Sequence, residues 1–150
     1  ILYNHTLPPN GGGDTLFASM YAAYGALSDR MKIYLNGLTA VHDGVPVFGK
    51  GTPKATHPVI VRHPESGRKL IYVNGSFTTR INEISKHESD AILRFLFENC
   101  IRPEWTVRFS WRPHSIAFWD NRCVQHLALW DYFPETRSGY RVTIEGDRPV

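Results

Sequence analysis

Apolar and polar residues alternate most clearly over residues 105–111, where Trp105, Val107, Phe109 and Trp111 share one face of a strand-like run. Further strand-like runs follow at 115–119, around His126 and at 140–145. Turn chemistry separates the first three at Arg112-Pro113-His114 and Asp120-Asn121. Upstream, residues 1–7 read as a strand and Pro8–Gly13 as a loop. A helical stretch is expected from about Leu16 to Leu27, rich in Ala, Met and Tyr. Ser28-Asp29 caps a second helix over 30–36, closed by Gly37. Residues 38–42 form a short strand, and 44–56 show no period and read as a mobile loop. Residues 57–63 and 69–73 pair as a hairpin across Pro64-Glu65-Ser66-Gly67. Ser85-Lys86-His87-Glu88 is a capping box. The helix it opens runs to about Cys100, with Ile92, Phe95, Leu96 and Asn99 as its expected inner stripe, and Pro103 ends it. Helices early and mid-chain with four strands crowded into the last third predict an α+β fold built on an antiparallel sheet or barrel.

At 150 residues the chain has the length of a single domain, 1–150. Its net charge is only +3 and its basic residues are dispersed, which argues against a nucleic-acid partner. No apolar run is long enough for a membrane span. Two cysteines, Cys100 and Cys123, cannot make a disulfide framework, so a reduced, cytoplasmic setting is expected. The sequence opens at Ile1, without Met and already inside a strand-like run, so N-terminal material is expected to be missing.

The chemistry concentrates between Trp119 and Arg141. His126 lies on an apolar strand, Arg137 follows eleven positions later, and Arg141 four after that. An imidazole can ligate a divalent metal, and a guanidinium can clamp a carboxylate through two parallel hydrogen bonds. The plain alternative for His126 is a core histidine bonded to backbone, and for the arginines an exposed strand face. A spacing of four in a strand puts both guanidiniums on one face, where each needs an anion. Thr15 could donate to a carboxylate, or could simply cap the helix expected after it. His63-Pro64-Glu65 reads as a turn rather than a metal pair. His42 and Asp43 point to opposite strand faces. No Cys-x-x-Cys, P-loop or Gly-x-Ser-x-Gly occurs.

Taken in order, these segments resemble the taurine dioxygenase (TauD/TfdA) family of Fe(II)- and 2-oxoglutarate-dependent oxygenases. The resemblance runs through Gly13-Asp14-Thr15-Leu16, Val41-His42-Asp43, His57-Pro58-Val59 and Phe77-Thr78-Thr79-Arg80-Ile81. It continues through Trp119-Asp120-Asn121-Arg122, His126, Arg137 and Tyr140-Arg141-Val142-Thr143. It implies a double-stranded β-helix (jelly-roll, cupin-like) core with flanking helices, of which this chain is the C-terminal portion. It implies a ferrous ion with His126 as one ligand, and 2-oxoglutarate held by Arg137 and Thr15 with Trp119 packed beside it. Arg141 and Phe77 would line the pocket of a small anionic substrate, taurine or a related sulfonate. Hydroxylation with O2 would release sulfite and an aldehyde, with succinate and CO2 from the cosubstrate. The family pattern also implies a dimer or tetramer. One departure stands out: the His-x-Asp that supplies the other two metal ligands occurs nowhere in these residues. The chain alone is therefore expected to be inactive and to bind iron weakly. The competing reading is a non-catalytic jelly-roll module whose Arg137–Arg141 pair binds a small di-anion without metal.

Overall fold

The computed structural model describes residues 1–149. The chain begins with β1 (Leu2–Thr6), whose partners come from far along the sequence: β11 (Ser138–Arg141) on one side and β9 (Ser115–Ala117) on the other, both antiparallel. The second strand, β2 (Thr15–Ser19), runs between β8 (Thr106–Phe109) and β10 (Val124–Ala128), again antiparallel. A third sheet has the order β4 (Lys54–Pro58), β3 (Thr39–Asp43), β7 (Thr78–Ile81), and β5 (Ile60–Arg62) pairs with β6 (Lys69–Ile71) as a hairpin. Antiparallel ladders joining the two ends of the chain are what a rolled double sheet requires, and they answer to the α+β jelly-roll expectation.

Among the described residues, four α-helices complete the fold. They are α1 (Met20–Gly25), α2 (Asp29–Leu35), the single turn α3 (Val45–Phe48) and α4 (Lys86–Cys100). The caps follow the sequence. Ser28 Oγ accepts from Met31 N–H, and Ser85 and Glu88 exchange the two bonds of a capping box. A short 3-10 turn, Pro103–Trp105, leads from α4 into β8. The core lies between α1, α4 and the β3–β7 and β5–β6 strands. There Leu35, Leu70, Ile71, Ile81, Leu96, Val59 and Val73 are withdrawn from solvent, each contributing about 1.5–3 kcal/mol by burial.

Three expectations are corrected. The helix expected from Leu16 starts only at Met20, with Ser19 as its cap, so Thr15 begins a strand and is not an N-cap. Backbone pairing on both sides of residues 15–19 outweighs their local helical composition. Residues 44–56 are not featureless, since they hold α3 and the start of β4. The inner stripe of α4 is Ser89, Leu93, Leu96, Asn99 and Cys100, with Phe95 turned outward. Two polar side chains go inside because each meets a backbone group: Ser89 Oγ accepts from Ile81 N–H at 2.8 Å, and Asn99 Nδ2 donates to Ala23 O at 2.9 Å.

Candidate active site

Thr15, Phe17 and Ser19 share one face of β2, and register places Phe17 opposite both Val107 and His126. A row of rings follows from that alternation. His126 lies 4.8 Å from Trp119 and 6.3 Å from Phe17, centroid to centroid, and Phe17 lies 6.3 Å from Phe109. Phe109 packs edge-on at 4.9 Å against Trp111, and the Arg137 guanidinium sits 5.2 Å from the Trp111 ring. The row thus joins the histidine at one end to the arginine at the other. The His126 ring makes no hydrogen bond among the described residues. Partial enclosure by these rings, then the positive charge of Arg141, holds its pKa below the ordinary histidine value. A lone pair on the imidazole is therefore available at neutral pH.

At the far end Thr15 is 2 % exposed, and its Oγ1 accepts from Trp111 Nε1–H at 3.0 Å. With the buried Asn4 amide turned so that its oxygen faces the guanidinium, that oxygen accepts from Arg137 Nε and Nη2, each at 3.1 Å. Arg137 has five N–H bonds, so three remain for an anion. Gly13 makes the close approach possible: its φ is +69°, and a Cβ there would stand 2.8 Å from Arg137 Cδ. The loop before β2 is held by Gly13 N–H donating to Asp131 Oδ1 at 2.7 Å and by Arg108 Nε donating to Asp14 Oδ2 at 2.7 Å. Burial raises the Asp14 pKa, but the bonds from Arg108 and Ser110 outweigh it and keep the carboxylate ionised.

The structure therefore brings Thr15, Arg137, Trp119 and His126 to one row of contacts and adds Arg141 through its field on His126. Phe77 stands apart. It stacks on Phe48 at 5.6 Å and accepts Asp43 N–H through its carbonyl, on the β3–β7 side. Asn4, Trp111 and Phe48 did not emerge from the sequence as site residues. Only the alternation that turns Trp111 to the same face as Phe109 hinted at one of them.

Among the described residues one group has metal-ligand spacing, His63, Asp120 and Cys123, with donor atoms within 4.8 Å of one another. Its bonding makes it a staple instead. His63 Nδ1 accepts from Glu65 and Ser66 N–H, which puts the ring proton on Nε2, and that proton goes to Asp120 Oδ2 at 3.0 Å. Arg122 Nη2 donates to the same oxygen at 2.7 Å, and the guanidinium, with help from His63, drives the Asp120 pKa well down. No lone pair on His63 is left for a cation, and Arg122 would repel one. The staple ties the β5–β6 turn to the turn that starts the His126 strand. A cavity of about 140 Å³ beside it is lined by His63, Tyr72, Arg122 and Arg148 and by none of the residues of the aromatic row.

An antiparallel rolled sheet flanked by helices, with one open imidazole and a braced guanidinium on it, defines the class of jelly-roll, cupin-type folds. Residues 1–143 match the family model for the taurine catabolism dioxygenases, the TauD, TfdA family, and the chain belongs to that family. A taurine dioxygenase from Burkholderia xenovorans superposes with a TM-score of 0.91 at 41% identity, over 99% of this chain and 52% of that one. An alpha-ketoglutarate-dependent sulfonate dioxygenase of Saccharomyces cerevisiae is 34% identical over 95% of this chain and 37% of its own length. An alpha-ketoglutarate-dependent sulfate ester dioxygenase of Pseudomonas putida is 33% identical over 95% of this chain and 53% of its own length. The chain thus spans about half or less of these relatives. No helix among its described residues is long and apolar enough to cross a membrane.

Proposed function

We propose that the protein carrying this chain is a 2-oxoglutarate-dependent non-haem iron dioxygenase that hydroxylates a small sulfonate or sulfate ester, taurine among the candidates. The observation that carries the reading is the Asn4–Arg137–Trp111–Thr15 assembly. It holds a guanidinium fork and a hydroxyl against one indole, a pair with the chemistry to take the far carboxylate of a keto diacid. At the other end of the row His126 offers an imidazole lone pair, the donor type a ferrous centre takes. The fit is partial by count, because a two-histidine, one-carboxylate site needs two further ligands and no His-x-Asp stands in the sequence. Once held, the iron would supply O2 activation coupled to decarboxylation of the cosubstrate. The residues here supply binding and orientation. Arg137 and Thr15 fix the diacid, Trp119 and Phe17 wall the metal side against water, and Arg141 offers its charge to an anionic substrate. Phe77 with Phe48 gives that substrate an apolar flank.

Anaerobic titration of the full-length protein with Fe(II) and 2-oxoglutarate tests this. A weak metal-to-ligand charge-transfer band is expected, lost in His126→Ala. A di-anion binding module without metal would bind 2-oxoglutarate equally with and without iron and show no band, and that outcome would end the dioxygenase reading.

A further inference from the structure

Within that assembly Trp111 touches both groups assigned to the cosubstrate. Its indole N–H is a donor only, whereas a threonine hydroxyl can donate once and accept. At 3.0 Å from Trp111 Nε1, and 2 % exposed, Thr15 Oγ1 must accept that bond. Its own proton is then turned away from the indole and is free to donate elsewhere. The same ring carries the Arg137 guanidinium at 5.2 Å and is itself 8 % exposed, propped edge-on by Phe109.

We propose that Trp111 is the positioning residue of the cosubstrate end: its single N–H commits the Thr15 hydroxyl to donating to the incoming carboxylate, and its ring holds the Arg137 fork level. This rests on the reading of Arg137 and Thr15 as the 2-oxoglutarate pair. The consequence is selectivity for a ligand that presents only acceptors at that end. A carboxylate can meet three donors there, the Nη1–Nη2 pair of Arg137 and the Thr15 hydroxyl. A neutral amide or alcohol in its place would carry no charge for the guanidinium and would bind more weakly.

A double-mutant cycle tests it, with 2-oxoglutarate binding to the full-length Mn(II)-loaded protein followed by calorimetry. Thr15→Val is expected to weaken binding about tenfold or more, the range for a hydrogen bond to a charged group. Trp111→Phe keeps the ring under Arg137 and removes the N–H, and a loss of about fivefold is expected, as for a neutral hydrogen bond. In the Thr15→Val background the same Trp111→Phe change should cost less than about twofold, because no hydroxyl remains to orient. An equal loss in both backgrounds would mean that Trp111 only packs, and would overturn the proposal. Arg137→Ala, measured alongside, judges the underlying reading separately: unchanged affinity there removes the cosubstrate assignment whatever the cycle shows. Should Trp111→Phe fold poorly, the wild-type protein still decides. Its Trp111 Nε1–H resonance should exchange slowly and shift on adding 2-oxoglutarate; fast exchange, with no shift, would sink the idea.

Discussion

Two regions of this molecule treat buried polar atoms in opposite ways. In the cradle formed by β1, β2 and the segment after β8, the Asn4 amide, the Arg137 guanidinium, Trp111 Nε1 and Thr15 Oγ1 all have partners. On the β3–β4 ribbon, His42 Nε2 and His57 Nδ1 are buried with none. The two rings meet edge to face at 5.1 Å, and Tyr72 stacks on His42 at 5.5 Å. A satisfied network is stiff and holds one geometry, whereas an orphaned ring nitrogen is tolerated at a penalty of about 1–3 kcal/mol. The cradle is therefore pre-organised for a fixed ligand, while the ribbon, which leads through Asp43 into α3 and Phe48, is the side better able to yield.

The largest expected effect falls on the stiff side. Arg137→Ala should weaken 2-oxoglutarate binding in the full-length protein by about 2–5 kcal/mol, the range for truncating one member of a buried charge pair. Calorimetry would read it directly, and unchanged affinity would show that the braced guanidinium serves the fold alone. On the yielding side the expected effect is on stability. Burial, reinforced by the neighbouring His57, lowers the His42 pKa from 6.5 to about 4. The unfolded chain then binds a proton between those values that the folded chain refuses. Stability should be full above pH 6.5 and decline as pH falls toward 4, by at most about 1.4 kcal/mol per pH unit for one such group. Urea midpoints at pH 7.5 and pH 5 measure this. His42→Phe should flatten the difference, and a difference that persists in the variant would assign the sensitivity to other groups.

How much of this could be read from residue order depends on the distance over which each feature is decided. The α4 capping box is settled within four residues, Ser85 to Glu88, and its start was legible to the residue. The C-terminal strands announced themselves through alternation and turn residues. By contrast, Leu16 to Ser19 carries helix-compatible chemistry and becomes a strand only because β8 and β10, roughly a hundred positions away, flank it. The site divides the same way. Thr15, His126 and Arg137 could be named as candidates through the family resemblance, but the groups that contact Thr15 and Arg137 could not. Asn4 stands at the opposite end of the chain from Arg137, and Trp111 lies 96 positions from Thr15. A hydrogen bond across that interval leaves no local trace. His63 shows the converse: its neighbours made a turn evident, while its true partner, Asp120, is 57 positions on.

The smallest expected effect separates the two regions most finely. Phe48 is 70% exposed and stacks on Phe77 at an interplanar angle of 21°. An exposed aromatic pair contributes about 0.5–1.5 kcal/mol at most beyond its area, so Phe48→Ala should shift the unfolding midpoint little. If the ribbon side flanks the substrate and the cradle takes the diacid, the variant should raise the KM for the sulfonate or sulfate ester several-fold. The 2-oxoglutarate affinity should stay within about twofold of wild type, since no contact joins Phe48 to Arg137, Thr15 or Trp111 among the described residues. Loss of 2-oxoglutarate affinity in Phe48→Ala would mean that the two sides act as one unit. The contrast between a stiff cradle and a yielding ribbon would then describe hydrogen bonding alone, and not how the site divides its work.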